Sequence, residues 1–289
     1  MRKGIILAGG RGTRLYPNTV SLSKHLLPVY DKPMIYYSLS TLMLAGIREI
    51  LLICNQSDIE LYKKLLGDGS QFGIKISYTI QYEPNGIAEA LIIAETFLNK
   101  DSCALILGDN IFYGPSFQKI LMDASKDHKS ATIFSYSVNN PSEYGIVNLK
   151  KNKIQSLEEK PKKPKSNLAI TGLYFYPNNV SSLTKQIKPS SRNELEITDL
   201  NKKYLKINKL KNIFLGRGFT WLDAGNIDSL FEASLFVKTI ESRQGTKICC
   251  PEEIAYKKKY ISLKKLKQIS KNIYSEDYKK YILSIVKDE

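Results

Sequence analysis

The strongest constraint on this chain is an alternation that runs through its first two thirds. Short apolar runs of strand length take turns with segments of helical apolar spacing. Lys3–Leu7 (KGIIL), Glu49–Cys54 (EILLIC), Ile74–Ile80, Cys103–Leu107 (CALIL) and Ala131–Val138 predict buried strands. Met34–Ala45, Ile59–Leu66, Ile87–Leu98 and Phe117–Ser125 predict helices between them. Strands apolar on both faces, separated by helices of this length, imply a mostly parallel sheet covered on both sides. In such a sheet ligands bind beyond the carboxyl ends of the strands.

From Tyr144 onward the texture changes. Gly145–Leu149 and Ile154–Glu158 flank the basic turn Lys150–Lys153 and predict a β-hairpin. Ala169–Tyr176 predicts a further strand and Glu196–Leu205 a helix. Trp221-Leu222-Asp223-Ala224-Gly225 precedes a helix over Ile227–Ile240, with Asn226 as its expected N-cap. The tail after Pro251 shows helical spacing at Ile261, Leu263, Leu266 and Ile269, and again at Tyr278, Tyr281, Ile282 and Ile285. It predicts a small helical cap packed on the body or on another subunit.

A chain of 289 residues buries roughly three quarters of its unfolded surface, so it needs no disulfide or metal to fold. Its four cysteines (Cys54, Cys103, Cys249 and Cys250) lack any CxxC or Cys/His metal spacing. His25 and His128 lie far apart with no triad setting, which disfavours Ser-His and Cys-His catalysis. No apolar run reaches the ~18 residues of a membrane span, and the N-terminal apolar stretch is too short for a signal peptide. The expectation is a soluble, cytoplasmic protein without a membrane partner. A net charge of +15 invites a nucleic-acid partner. Its distribution argues otherwise: 22 of the 43 basic groups fall in residues 150–165, 202–211 and 257–289, and only seven are Arg. With no nucleic-acid-binding motif beside them, these lysines predict a solvated surface whose field draws in small polyanions.

The sharpest local feature is Leu7-Ala8-Gly9-Gly10-Arg11-Gly12-Thr13-Arg14, directly after the first strand. Its three glycines let backbone N–H groups turn toward an anion, and Arg11 and Arg14 add fork-shaped donors. It is neither a P-loop, since Thr13-Arg14 follows Gly12, nor a GxGxxG turn, since position 15 is Leu15. Lys24, ten residues on, offers a second point charge. Asp109 closes an apolar strand and Asp223 precedes a helix. Either acid alone reads as a cap, but together beside a phosphate loop they point to Mg²⁺. Glu159 and Lys160 end a strand on opposite faces unless Pro161 bends the chain, and a solvated edge is the plain alternative. Arg192 precedes Glu194-Leu195-Glu196-Ile197-Thr198-Asp199, which also reads as an acidic helix start. Gln81 carries an amide that matches the imide edge of thymine or uracil.

Taken together, LAGGRGTRLYP, SKHLLPVYDKPMIYYSLSTLMLAGI, GDGSQFGI, GDNIFYG, EYGIV, EEKPKKPKSN, ITGLYFY, ELEITDLN, GRGFTWLDAGN and RQGTKICCPEEIA resemble the sugar-1-phosphate nucleotidylyltransferases. GDNIFYG, ITGLYFYPN and ELEITD resemble the branch that transfers thymidylyl groups. The resemblance implies a Rossmann-like α/β fold of the nucleotide-diphospho-sugar transferase type, with a mixed, mostly parallel sheet. It implies a core over 1–240, with a nucleotide half at about 1–140 and a sugar half at about 141–240, and a helical extension over 241–289. It further implies dTTP and glucose 1-phosphate as substrates, dTDP-glucose for deoxysugar synthesis as product, Mg²⁺ as cofactor, and a homotetramer with a second nucleotide-sugar site.

By the same resemblance Leu7 and Gly9 to Thr13 wrap the nucleotide, while Gln81 and Gly86 hold the base. Asp109 and Asp223 bind the metal, Arg14 and Lys24 steady the triphosphate, and Lys160 grips the sugar phosphate. Tyr144, Gly145, Glu159, Ile170, Thr171 and Arg192 surround the glucose. The departures are Arg11 for a usual Ser, His25 for Gln, Asn85 for Asp, Glu89 for Gln, Asn193 for Gly and Ala224 for Thr. The alternatives are the same chemistry with UTP or another hexose 1-phosphate, and a non-catalytic nucleotide-sugar-binding regulator.

Overall fold

A computed structural model describes residues 1–286, and its main sheet is assembled from the apolar runs above. Arg2–Ala8 is central, with Glu49–Cys54 parallel on one side and Ser102–Leu107 parallel on the other. Lys75–Ile80 extends the parallel run. Glu49–Cys54 and the helix Ile59–Leu66 have the bounds that the sequence predicts. Buried on both faces, EILLIC satisfies its backbone only between two neighbouring strands, which leaves little freedom in placing it.

One strand breaks the parallel run. Leu168–Tyr176 lies antiparallel beside Ser102–Leu107, with Leu173 opposite Ile106. Ala131–Ser137 pairs along its other side, and Leu210–Phe214 closes that edge. The predicted hairpin is present as Gly145–Lys150 and Lys153–Glu159. It joins the sheet at Ala169, four residues outward of the Leu173–Ile106 pair. The hairpin therefore stands beyond the carboxyl edge of the parallel strands and forms a wall above it.

A two-stranded ladder beside the sheet positions the site. Asn110–Tyr113 pairs antiparallel with Thr220–Asp223, so that Asp223 lies opposite Asn110. Asp223 thus ends a strand and caps no helix. The helix Ile227–Gln244 is capped by Asn226, whose side chain accepts from the Ser229 N–H at 2.9 Å while Ser229 reaches back to the Asn226 N–H.

Ile87–Leu98 is not one helix but two short ones, Glu89–Ile93 and Glu95–Leu98. The start of the segment is bonded elsewhere: Ala88 N–H donates to the Leu195 carbonyl, and Leu195 N–H to the Asn85 carbonyl at 2.6 Å. These tertiary bonds set where the first helix starts, two residues later than the apolar periodicity predicts.

Apolar layers cover both faces. One contains Leu39, Leu42 and Met43 of the helix Ile35–Leu44, and it continues without a break through Ile254, Leu266 and Ile282. The helices Pro251–Lys257, Leu263–Lys271 and Glu276–Ser284 therefore pack on the body. The opposite layer contains Leu91, Val180 and Leu200. A buried ionic knot ties the tail to the hairpin Pro28–Pro33. Lys32 Nζ reaches Asp31 at 2.5 Å and Glu241 at 3.2 Å, Lys247 pairs with the same two acids, and Glu241 also accepts from the Ile248 N–H. Among the described residues no helix is long and apolar enough to cross a membrane.

Candidate active site

The glycine turn follows the central strand and is anchored at both ends. The Leu7 carbonyl accepts from the Gly108 N–H at 2.9 Å, which ties the turn to the end of the neighbouring strand. Gly12 has φ 64°, a left-handed conformation in which a Cβ would also strike Thr19. Thr19 Oγ1 donates to the Gly12 carbonyl at 2.8 Å, and Thr13 opens a single helical turn ending at Leu15. The N–H groups of Gly10, Arg11 and Gly12 make no internal hydrogen bond among the described residues, which leaves them available to an anion. Lys24 stands beside them, its Nζ 3.8 Å from the place of a Cβ on Gly10. The Arg11 guanidinium makes an exposed ion pair with Glu83 at 3.4 Å.

Across the turn lies a cavity of about 250 Å³, lined by Arg14, Asp109, Asn110 and Asp223 on one side. Lys24 forms an ion pair with Asp109, and both side chains are almost wholly buried. Burial would raise the Asp109 carboxyl, but Lys24 and the Asn110 amide hold it well below the usual carboxylate range. Asp223 moves the other way, pushed up to about 7 by burial and then by the nearby Asp109. The Arg14 guanidinium lies against Asp223 and Gly225, where a Cβ on that glycine would stand 2.8 Å from Nη2. Asn110 holds this corner together. Its Nδ2 donates to Asp109 at 3.0 Å, and its Oδ1 accepts from Trp221 Nε1 at 2.6 Å and from the Gly172 N–H at 2.9 Å.

His25 is a wedge beneath this corner. It is buried, bonded to Ser23 and Tyr62, and its ring fills the space that a Cβ on Gly108 would need. Burial, and then Lys24, lower its pKa to about 3, so it is neutral and outside the chemistry.

The far side of the cavity comes from the hairpin and the antiparallel strand. Tyr144, Gly145, Glu159, Lys160, Ile170 and Arg192 all line it. Lys160 shares the cavity with Glu159 because the chain turns at that point: φ of Lys160 is 40°, and its N–H donates back to the Tyr144 carbonyl at 3.1 Å. Tyr144 packs edge-on to Trp221, with ring centroids 5.2 Å apart. Glu159 is fixed at both oxygens, accepting from Arg192 at 3.1 Å and from Thr198 Oγ1 at 2.5 Å. Arg192 also binds both oxygens of Glu196 at 2.9 Å and pairs with Glu194 at 3.8 Å, so it is a clamp on three acids and not a free cation. Thr171 departs from expectation. Side chains alternate along Leu168–Tyr176, so Ile170 and Gly172 face the cavity while the Thr171 side chain is fully buried on the opposite face.

On the nucleotide side, Gln81 follows the strand Lys75–Ile80 and lies against Gly9, where a Cβ would come within 2.7 Å of its Oε1. Gly86 has φ 106° and touches the Leu195 backbone so closely that any side chain would collide. Sequence reasoning misses three residues as site members: Asn110, Trp221 and Thr198. Only Asn110 carried a signal, as the amide next to a strand-end acid.

The class follows from comparison with known families: the model described as nucleotidyl transferase matches residues 3–240. Glucose-1-phosphate thymidylyltransferase from Neisseria meningitidis is 52% identical over 286 residues, covering 99% of both chains. The protein of the same description from Mycolicibacterium smegmatis is 49% identical over 289 residues, covering 99% of this chain and all of that one. The chain belongs to the glucose-1-phosphate thymidylyltransferase family. A Bacillus anthracis structure of that description, in complex with a sucrose, superposes with a TM-score of 0.76 at 41% identity, over 82% of this chain and 95% of that one. A UDP-glucose pyrophosphorylase complexed with UDP-glucose, 24% identical with a TM-score of 0.70, shares the fold.

Proposed function

We infer that this chain transfers the thymidylyl group of dTTP to α-D-glucose 1-phosphate, forming dTDP-glucose and releasing pyrophosphate. The observation that carries this reading is the convergence of Arg14, Lys24 and Lys160 with two acids at the mouth of the sheet. Two polyanions must meet there, and unit charges ~4 Å apart at an effective dielectric near 20 repel by about 4 kcal/mol. Several such pairs would forbid the encounter without fixed positive charge.

In this reading an oxygen of the sugar phosphate forms a bond to the α-phosphorus as the bond to the β-phosphate bridging oxygen breaks, and the electron pair leaves with pyrophosphate. The attacking oxygen is already ionised, so no general base is needed, in keeping with a neutral, buried His25. The glycine turn and Lys24 hold the triphosphate, Arg14 neutralises charge beside Asp223, and Lys160 grips the sugar phosphate. Glu159, fixed by Arg192 and Thr198, accepts from sugar hydroxyls, and Tyr144 closes that side. Residues 1–140 act as the nucleotide half, 141–240 as the sugar half and 241–289 as an extension, packed over its described residues 241–286, in a cytoplasmic enzyme.

Asp109 and Asp223 fit Mg²⁺, being hard oxygen donors of the number this ion takes when substrate phosphate and water complete its shell. Among the described residues no cluster of three or more such ligands exists, so the ion would arrive with the nucleotide. When bound it neutralises charge on the nucleotide phosphates. Asp109→Asn should raise the Mg²⁺ concentration for half-maximal rate by at least about tenfold. An unchanged titration would remove Asp109 from the ligand set.

A homotetramer is supported by an unpartnered apolar stripe, Ile227, Phe231 and Leu235, spaced four apart on Ile227–Gln244 and each about half exposed. Phe231→Glu should lower the mass measured by ultracentrifugation, and a wild type that sediments as a monomer sinks this reading. The activity itself is tested by measuring pyrophosphate release while crossing dTTP, UTP, CTP, ATP and GTP with several hexose 1-phosphates. The best rate is expected with dTTP and glucose 1-phosphate, and no release with that pair overturns the assignment.

A further inference from the structure

Gln81 is 5% exposed, and one end of its amide is held by a hydrogen bond. Its Oε1 lies against Gly9, and its Nε2 donates to Glu89 Oε2 at 2.7 Å. The other Glu89 oxygen accepts from Asn85 Nδ2 at 2.9 Å. A carboxylate can only accept, so Glu89 dictates which end of the Gln81 amide is donor and which is acceptor. A neutral amide at position 89 would dictate nothing, because it offers either polarity.

We propose that Glu89 is a positioning residue that locks the Gln81 carbonyl oxygen toward the glycine turn, and that this fixed polarity selects pyrimidines bearing a ring N3–H over cytosine. The inference rests on the reading above, in which Gln81 meets the base. Thymine presents an N–H flanked by two carbonyl oxygens. The locked Oε1 accepts that N–H, and the second hydrogen on Nε2 is free to donate to a carbonyl. Cytosine presents a bare N3 beside an amine. To pair with it the amide must rotate, which aims Oε1 at the Glu89 carboxylate and sets two acceptors face to face with no proton between them. Uracil shares thymine's edge, so the lock separates dTTP from dCTP and leaves UTP to be excluded by other means.

Asn85 makes the inference testable. In Glu89→Gln the two facing amides satisfy each other in either polarity, so Gln81 becomes free to rotate. In the double variant Asn85→Asp/Glu89→Gln the carboxylate sits at the other end of the chain of bonds. It accepts from the new amide's NH₂, whose oxygen again accepts from Gln81, and the single polarity returns.

The experiment measures kcat/KM for dTTP, UTP and dCTP with glucose 1-phosphate in the full-length wild type and both variants. Glu89→Gln should lower the dTTP:dCTP ratio by roughly 10-fold or more, since a hydrogen bond to a charged acceptor is worth about that much. The dTTP:UTP ratio should hold, and the double variant should recover the lost discrimination. An unchanged dTTP:dCTP ratio in Glu89→Gln overturns the proposal. So does a loss that the double variant fails to restore, which would leave Glu89 a structural part only. A wild type inert toward dTTP would overturn the thymidylyl reading as well, and the same measurements distinguish the two failures.

Discussion

Lys24→Ala should lower kcat with dTTP and glucose 1-phosphate by roughly 10²–10³-fold, the usual loss when a fixed charge aimed at developing negative charge is removed. Lys24 stands between the anion-ready turn and Asp109, within reach of both. Removing it leaves the triphosphate without its nearest cation and Asp109 without its partner. The fold should persist, because Asn110 still donates to Asp109 and the corner remains tied to Trp221 and Gly172. Pyrophosphate release, read beside a thermal melt, separates the two effects. A rate within about threefold of wild type in a folded variant would mean that the turn's N–H groups and Arg14 suffice.

The largest effect on stability is expected far from that corner. Lys32→Ala should cost about 3 kcal/mol, the scale for breaking a buried ion pair from one side. Lys32 is 3% exposed and lies between Asp31 and Glu241, and the latter is itself buried. Without Lys32, Lys247 is the cation left, among the described residues, to pair with the two acids, and it must serve both. At roughly 2–4 °C per kcal/mol for a chain of this size, the melting midpoint should fall by ~6–12 °C. Lys32→Met/Glu241→Gln, which removes the charge on both sides, should recover much of the loss. A single-variant shift under about 2 °C would show that Lys247 satisfies the knot alone.

Much of this architecture can be read from the sequence where burial leaves one solution. Glu49–Cys54 and Ile59–Leu66 are such cases, and so is the Asn226 cap, since an Asn ahead of an apolar-periodic run has a local job to do. The reading fails where a distant segment decides. The start of Ile87–Leu98 is delayed to Glu89 because Ala88 N–H is engaged by the Leu195 carbonyl, about a hundred residues away in the chain. Asp223 reads as an acid before a helix, and only its ladder with Asn110–Tyr113 sets it beside Asp109.

The candidate site follows the same rule. Residue types that suit phosphate and metal can be listed from motifs, but their direction cannot. Thr171 is turned from the cavity by strand alternation, and Arg192 is engaged by three carboxylates. Lys160 goes the other way, brought into the cavity by a backbone turn that alternation alone would not produce.

The strand Leu168–Tyr176 carries a mechanical consequence. Its inner end is zipped to Ser102–Leu107 beside the parallel strands, and its outer end supplies Ile170 and Gly172 to the cavity wall. A single strand thus runs from the parallel sheet to the far wall of the cavity, with Asn110 bolting it to the acidic corner through the Gly172 N–H. A clamshell that swings apart between the two would have to tear this ladder.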